Sequence, residues 1–156
     1  MIGMNLTLFA FPATLSPDQD GGFVVTFPDL PEAITQGDSI EQCLSEASDC
    51  LAEAIAARID DHLDLPLPSQ TEDQQYLVPV PLEIAWKAEV YSLMQKTGVT
   101  ASVLASWLDV DKDKVRRLIS PKYTVDQTFA KKVLNTILNK LELAELKSKT
   151  KTRSPI

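Results

Sequence analysis

The sequence predicts an α+β fold in two parts, a small antiparallel sheet with one helix followed by an all-α segment from about residue 82. Three observations predict it. Short β-friendly runs broken by Gly- and Pro-rich turns fill the stretch up to Gly37-Asp38. A long stripe at helical spacing comes next. The charge then changes sign: residues 1–83 hold fifteen Asp and Glu against one basic residue, Arg58, whereas residues 84–156 hold fourteen Lys and Arg against seven acids. One end of the molecule therefore attracts cations and the other attracts anions.

The bulk numbers agree with a folded chain. A length of 156 residues fits one ordinary domain or two small ones, and 44% hydrophobic with 24% charged residues suffices to bury a core. No apolar run approaches the ~18 residues of a membrane span, and no basic segment precedes an apolar one at the N-terminus. A soluble, cytoplasmic protein is expected. Cys43 and Cys50 are seven residues apart in a helical pattern, beyond disulfide reach along a straight helix. No His or Cys stands near them in ligand spacing, so both are read as core thiols, and neither metal nor cofactor is expected.

Residues 5–15 alternate Leu6, Leu8 and Ala10 against Phe9 and Phe11, a first strand. The cluster Asp18-Gln19-Asp20-Gly21-Gly22 turns the chain, and residues 23–27 return it as the second strand of a hairpin. Residues 33–36 make a short third strand. Ser39 and Gln42 form a capping-box pair opening a helix whose apolar stripe is Ile40, Cys43, Leu44, Ala47, Leu51, Ala54, Ile55 and Ile59. Glu41, Glu46, Asp49 and Glu53 take the opposite face. His62, the one histidine, stands at the helix end, within reach of the last carbonyls. Residues 76–80 form another strand, placed at a sheet edge because Pro79 cannot donate a ladder bond.

Beyond residue 82 the pattern is helical. Gly98 is the stop of a helix over 82–97. Further helices are expected over 100–108, 112–119 and 126–146, and residues 147–156 form a basic tail expected to be disordered. The segment from Thr100 to Ile119 reads as a helix-turn-helix. Leu104, Leu108, Val110, Val115 and Leu118 face inward, and Ala105 permits a close crossing. In spacing it resembles the helix-turn-helix of the Cro and phage-repressor family, except that Asp109 stands where that family usually has glycine. Asp tolerates the left-handed conformation better than most residues.

Asp111 is placed to cap the second of these helices. Lys112, Asp113, Lys114 and Arg117 lie near its exposed N-terminal end and outward face, the part that enters a major groove. Lys112 and Arg117 suit guanine edges, Lys114, Arg116 and Lys122 suit phosphates, and Asp113 can accept from a cytosine amine. The last helix carries Phe129, Val133, Ile137 and Leu141 on one stripe, a candidate dimer seam, with packing into the chain's own core as the equal alternative.

The front half carries a more specific string. Gly21-Gly22, then FVVTFPDLPEAITQGDS, then the amphipathic helix, then DLPLPS, resembles the HicB antitoxins of bacterial HicA–HicB toxin–antitoxin pairs. Gly21, Gly22, Pro28, Asp29, Pro31, Gly37, Asp38 and residues 66–69 carry the likeness. Two departures stand out: Gln42-Cys43 where relatives often have Glu-Ala, and Met1–Gly3 ahead of Met4. The resemblance implies a partial RNase H-like front, residues 1–81, that binds and blocks a small basic mRNA-cleaving HicA-like toxin. It implies a back domain, residues 82–146, that dimerises and represses the operon by binding operator DNA, a tetramer remaining open. Acidic side chains in the front can mimic the phosphates such a toxin seeks, with Asp29, Glu32, Asp38 and Glu41 as candidates.

Two rivals remain on the sequence alone. A nuclease would cluster Asp29, Asp38, Glu41 and Asp49 around metal. Turn chemistry accounts for the first two and a solvated helix face for the others, and no Ser or Cys nucleophile has its partners, so no enzyme is expected. A one-component regulator would use the front half to sense a small molecule in an apolar pocket.

Overall fold

A computed structural model of the chain describes residues 9–152, with side chains through Lys149. Strand β1 (Ala10–Pro17) pairs antiparallel with β2 (Phe23–Thr26), and β2 with β3 (Ile34–Gly37). In the connecting turn the Asp18 amide donates to the Gly22 carbonyl over 3.0 Å and the Gly21 amide to the Asp18 carbonyl over 3.1 Å. Gly22 has φ +76°, and a Cβ there would strike the Gly37 carbonyl oxygen. Both facts demand glycine. Strand β4 (Tyr76–Pro79) joins the free side of β1, giving the order β3-β2-β1-β4. Pro79 therefore lies on an edge strand, as its missing amide requires. The first strand was expected to begin at residue 5; residues 5–8 lie outside the described residues, and at its other end the strand continues to Pro17.

Helix α1 (Ile40–Asp60) packs on the sheet face that carries Phe11, Ala13, Val25 and Val78. Gly37 lets it approach, since a Cβ there would lie 2.9 Å from both the amide nitrogen and Sγ of Cys43. Ser39 Oγ accepts from the Gln42 amide at 3.1 Å, and Gln42 Oε1 accepts from the Asp38 amide at 2.9 Å. The capping box is thus reciprocal, one residue wider than the usual form. Cys43, Ala47, Leu51, Ala54, Ile55 and Ile59 are buried as the spacing predicts. Ile40 is not: it opens the helix a turn ahead of Cys43 and is 42% exposed. At the far end the His62 amide donates to the Ile59 carbonyl, so the backbone of His62 meets the last turn.

Helix α2 (Leu82–Thr97), closed by left-handed Gly98, is buried from Ala85 through Ser92. A helix buried on all sides belongs inside a fold, although this one carries Lys87, Glu89 and Ser92 in its buried stretch. Ala85, Ala88 and Tyr91 enter the core between α1 and the sheet; Trp86 and Val90 enter a second core. Around that second core stand α3 (Ala101–Leu108), α4 (Lys112–Ile119) and α5 (Gln127–Thr152). The two cores share one helix.

Helix α5 corrects one expectation. It runs through Thr152, past the predicted end at residue 146, because no Gly or Pro interrupts the Lys-, Leu- and Glu-rich run before Pro155. Residues 153–156 of the expected disordered tail lie outside the described residues. Among the described residues, no helix is long and apolar enough to cross a membrane.

Candidate functional site

Helices α3 and α4 meet through residues 109–111. Thr100 Oγ1 caps α3 by accepting from the Val103 amide at 3.2 Å. Asp109 closes it at φ 53°, ψ 49°, the left-handed conformation expected where glycine is more usual. Asp111 holds the N-cap position of α4, but its carboxylate makes no capping bond. The Lys114 amide that it would take is bonded to the Asp111 carbonyl instead, at 3.0 Å. Leu104, Ala105, Val115 and Leu118 are buried between the helices and α5, which turns the remaining α4 side chains to solvent.

Those side chains are not equivalent. Arg116 pairs with Asp113 at 3.5 Å, both well exposed, so the pair adds little and is easily opened. The Lys114 ammonium lies 4.5 Å from the centre of the Phe129 ring. Lys112, Arg117 and Lys122 are exposed and make no ion pair among the described residues. Beside Arg117, Tyr123, Arg116, Asp113 and Ser120 line a shallow cavity of about 390 Å³. The unspent positive charge of α4 is thus at Lys112 and Arg117.

The front acids divide differently. Asp29 accepts from the Ser69 amide at 2.9 Å and from the Ser69 hydroxyl, tying residues 28–31 to the proline segment. Glu32 is held by Arg58 at 2.9 Å, and Arg58 also donates to the Asp64 carbonyl. Asp38 and Glu41 stand exposed at the start of α1. Folding therefore uses two of the four candidates and leaves two to solvent. Among the described residues, no group of three or more His, Cys, Asp or Glu is arranged to hold a metal ion, Asp29, Asp38, Glu41 and Asp49 included. Burial pushes the Cys43 thiol up, with Asp38 adding to the shift, and burial then Glu53 do the same at Cys50. Neither is an activated nucleophile.

The candidate dimer seam is largely absorbed. Phe129, Val133 and Ile137 lie in the second core, packed among α2, α3 and α4, because those short helices need a long one to close over them. Of the four only Leu141, at 37%, is exposed.

Lys87 was missed in the sequence reading. It sits mid-way along the buried stretch of α2, and its Nζ donates to the carbonyls of Leu118 at 2.7 Å and Arg117 at 3.2 Å. A lysine two residues from Glu89 inside a mostly apolar run, Ile-Ala-Trp-Lys-Ala-Glu-Val, is the signal that could have found it.

Comparison with known proteins shows the family. Residues 10–89, from β1 into α2, match the family model described as HicB_like antitoxin of bacterial toxin-antitoxin system. The chain belongs to the HicB-like antitoxin family. It is 35% identical over 134 residues to Antitoxin HicB 1 of Photorhabdus laumondii, covering 86% of this chain and 85% of that one. It is 32% identical over 110 residues to Antitoxin HicB of Escherichia coli, covering 70% and 80%. Antitoxin HicB 2 of Photorhabdus laumondii is 31% identical over 136 residues, covering 87% and 96%. The HicB-like segment takes in the sheet, α1 and the α2 turns that carry Ala85, Lys87 and Ala88. It ends within the helix that both cores share.

Proposed function

We propose that the protein is the antitoxin of a toxin–antitoxin pair, working through two surfaces. The front half masks a small basic RNA-cleaving toxin. The back half is a helix-turn-helix, α3 and α4, that binds operator DNA ahead of its own gene. The observation that carries this reading is the distribution of unspent charge: free acids such as Asp38 and Glu41 on the front, free cations at Lys112 and Arg117 on α4. Opposite fields of this kind steer two different partners to two places. The family relationship supports a toxin as a partner, and the acidic front is the surface that suits it. Dimerisation on a palindromic operator would use the exposed Leu141 and Leu143 of α5, since Phe129, Val133 and Ile137 are enclosed.

Arg117→Ala tests the division. It is expected to weaken binding to the upstream duplex by about tenfold, the usual worth of one good base or phosphate contact, while toxin neutralisation stays intact. Loss of both activities, or of neither, refutes the assignment of α4. Duplex binding is also expected to fall steeply with salt as phosphate contacts release counterions. A flat response contradicts it.

One observation favours a second reading, a regulator that senses a small molecule. A cavity of about 590 Å³ opens where α1, α2 and α4 meet, lined by Ile59, His62, Tyr91, Met94, Arg116 and Ile119 among others. A gene without a small basic reading frame beside it would support the sensor, and a gene with one supports the antitoxin.

A further inference from the structure

We infer that Lys87 is a positioning residue for DNA recognition, fixing the backbone of Arg117 and Leu118 so that α4 presents its cations at a set angle. The inference rests on the DNA-binding reading above. Helix α4 is only two turns long, too short to hold its shape unaided, and its last carbonyls have no following turn to satisfy them. Ser120 continues in extended conformation, and its amide serves only the Arg116 carbonyl. Lys87 takes the next two. Lys87 is 1% exposed, and its ammonium bridges the carbonyls of Arg117 and Leu118.

Burying a lysine is costly, and burial pulls this ammonium's pKa down, partly offset by Glu83. What offsets the cost is position: a cation at a helix C-terminus meets both the orphan carbonyls and the negative end of the dipole. The carbonyl of Arg117 is held from inside while its side chain projects outward, so one residue joins the buried pin to the exposed surface. The neighbours of Lys87 extend the link. Trp86 packs in the second core and Ala88 in the first, so the pin is seated on the helix that the two cores share.

The test compares full-length K87M, K87R and V90A for affinity to a duplex taken from just upstream of the gene, well below each melting temperature. Val90 is fully buried in the second core on the same helix, so V90A loosens that core without touching the carbonyls of α4. K87M is expected to lose about tenfold or more in affinity. K87R, which restores a charged donor, is expected to recover most of that loss. V90A should stay within about threefold of wild type despite melting lower. If K87M does not fold, K87Q replaces it and is read in the same way. Wild-type affinity in K87M, no recovery in K87R, or parallel losses in K87M and V90A that track stability would overturn the inference. Failure of the unmodified protein to bind the duplex refutes the DNA-binding reading itself, and the role of Lys87 with it.

Discussion

The two cores solve the same packing problem in different ways. The first sets a long amphipathic helix on a sheet, and its demands are met locally: Gly22 relieves the tight turn, Gly37 admits α1, and Ser39 with Gln42 caps it. The second assembles α3 and α4, each of eight residues, around α2 and α5, and it tolerates less favourable chemistry. Asp109 occupies a left-handed position without glycine's freedom, Asp111 caps nothing with its side chain, and a buried lysine satisfies the end of α4. The comparison teaches that α4 is stabilised mainly from outside itself. Its side chains are thereby left free for a partner.

The largest expected effects come from emptying each core. Leu51→Ala in the first and Leu104→Ala in the second should each cost about 2–5 kcal/mol, read by denaturant unfolding. Because α2 supplies residues to both cores, either variant should still unfold in one transition. Two resolved transitions would break the idea of a shared helix. Gly37→Ala comes next, at about 1–3 kcal/mol, because the added Cβ meets the backbone nitrogen of Cys43 as well as its Sγ, and the backbone cannot yield. A neutral result would mean that α1 shifts freely on the sheet. Smallest is Asp109→Gly, expected to raise stability by about 0.5–1 kcal/mol by removing the left-handed penalty. A loss instead would show that the Asp109 side chain supports the turn between α3 and α4.

Much of this was legible in the sequence, and particular residues show why. The period of α1, the stop at Gly98 and the edge position forced by Pro79 are local consequences of chain chemistry. The inward set Leu104, Ala105, Val115 and Leu118 follows from spacing, and the turn at Asp109 from the likeness to the Cro and phage-repressor helix-turn-helix. What escaped was tertiary. A stripe on α5 reads the same whether it meets another copy or its own chain, so Phe129, Val133 and Ile137 were ambiguous until α3 and α4 were seen to cover them. The sequence offers Asp29 as a turn residue or a toxin contact and Glu32 as a toxin contact, and their partners, Ser69 and Arg58, are too distant in sequence to be seen. Lys87 counted as one more cation in the basic half, although folding removes it from the surface.

The account turns on whether the acidic front disarms a basic RNA-cleaving partner. The direct measurement is to purify the tagged full-length chain from its native host, separate whatever small basic protein accompanies it, and follow RNA cleavage by that protein before and after the chain is added back. The account predicts a stoichiometric partner that cleaves RNA once released and falls silent when the chain returns. An accompanying protein whose cleavage is unchanged by the chain, or no such partner beside a chain that still binds its own upstream DNA, would contradict it.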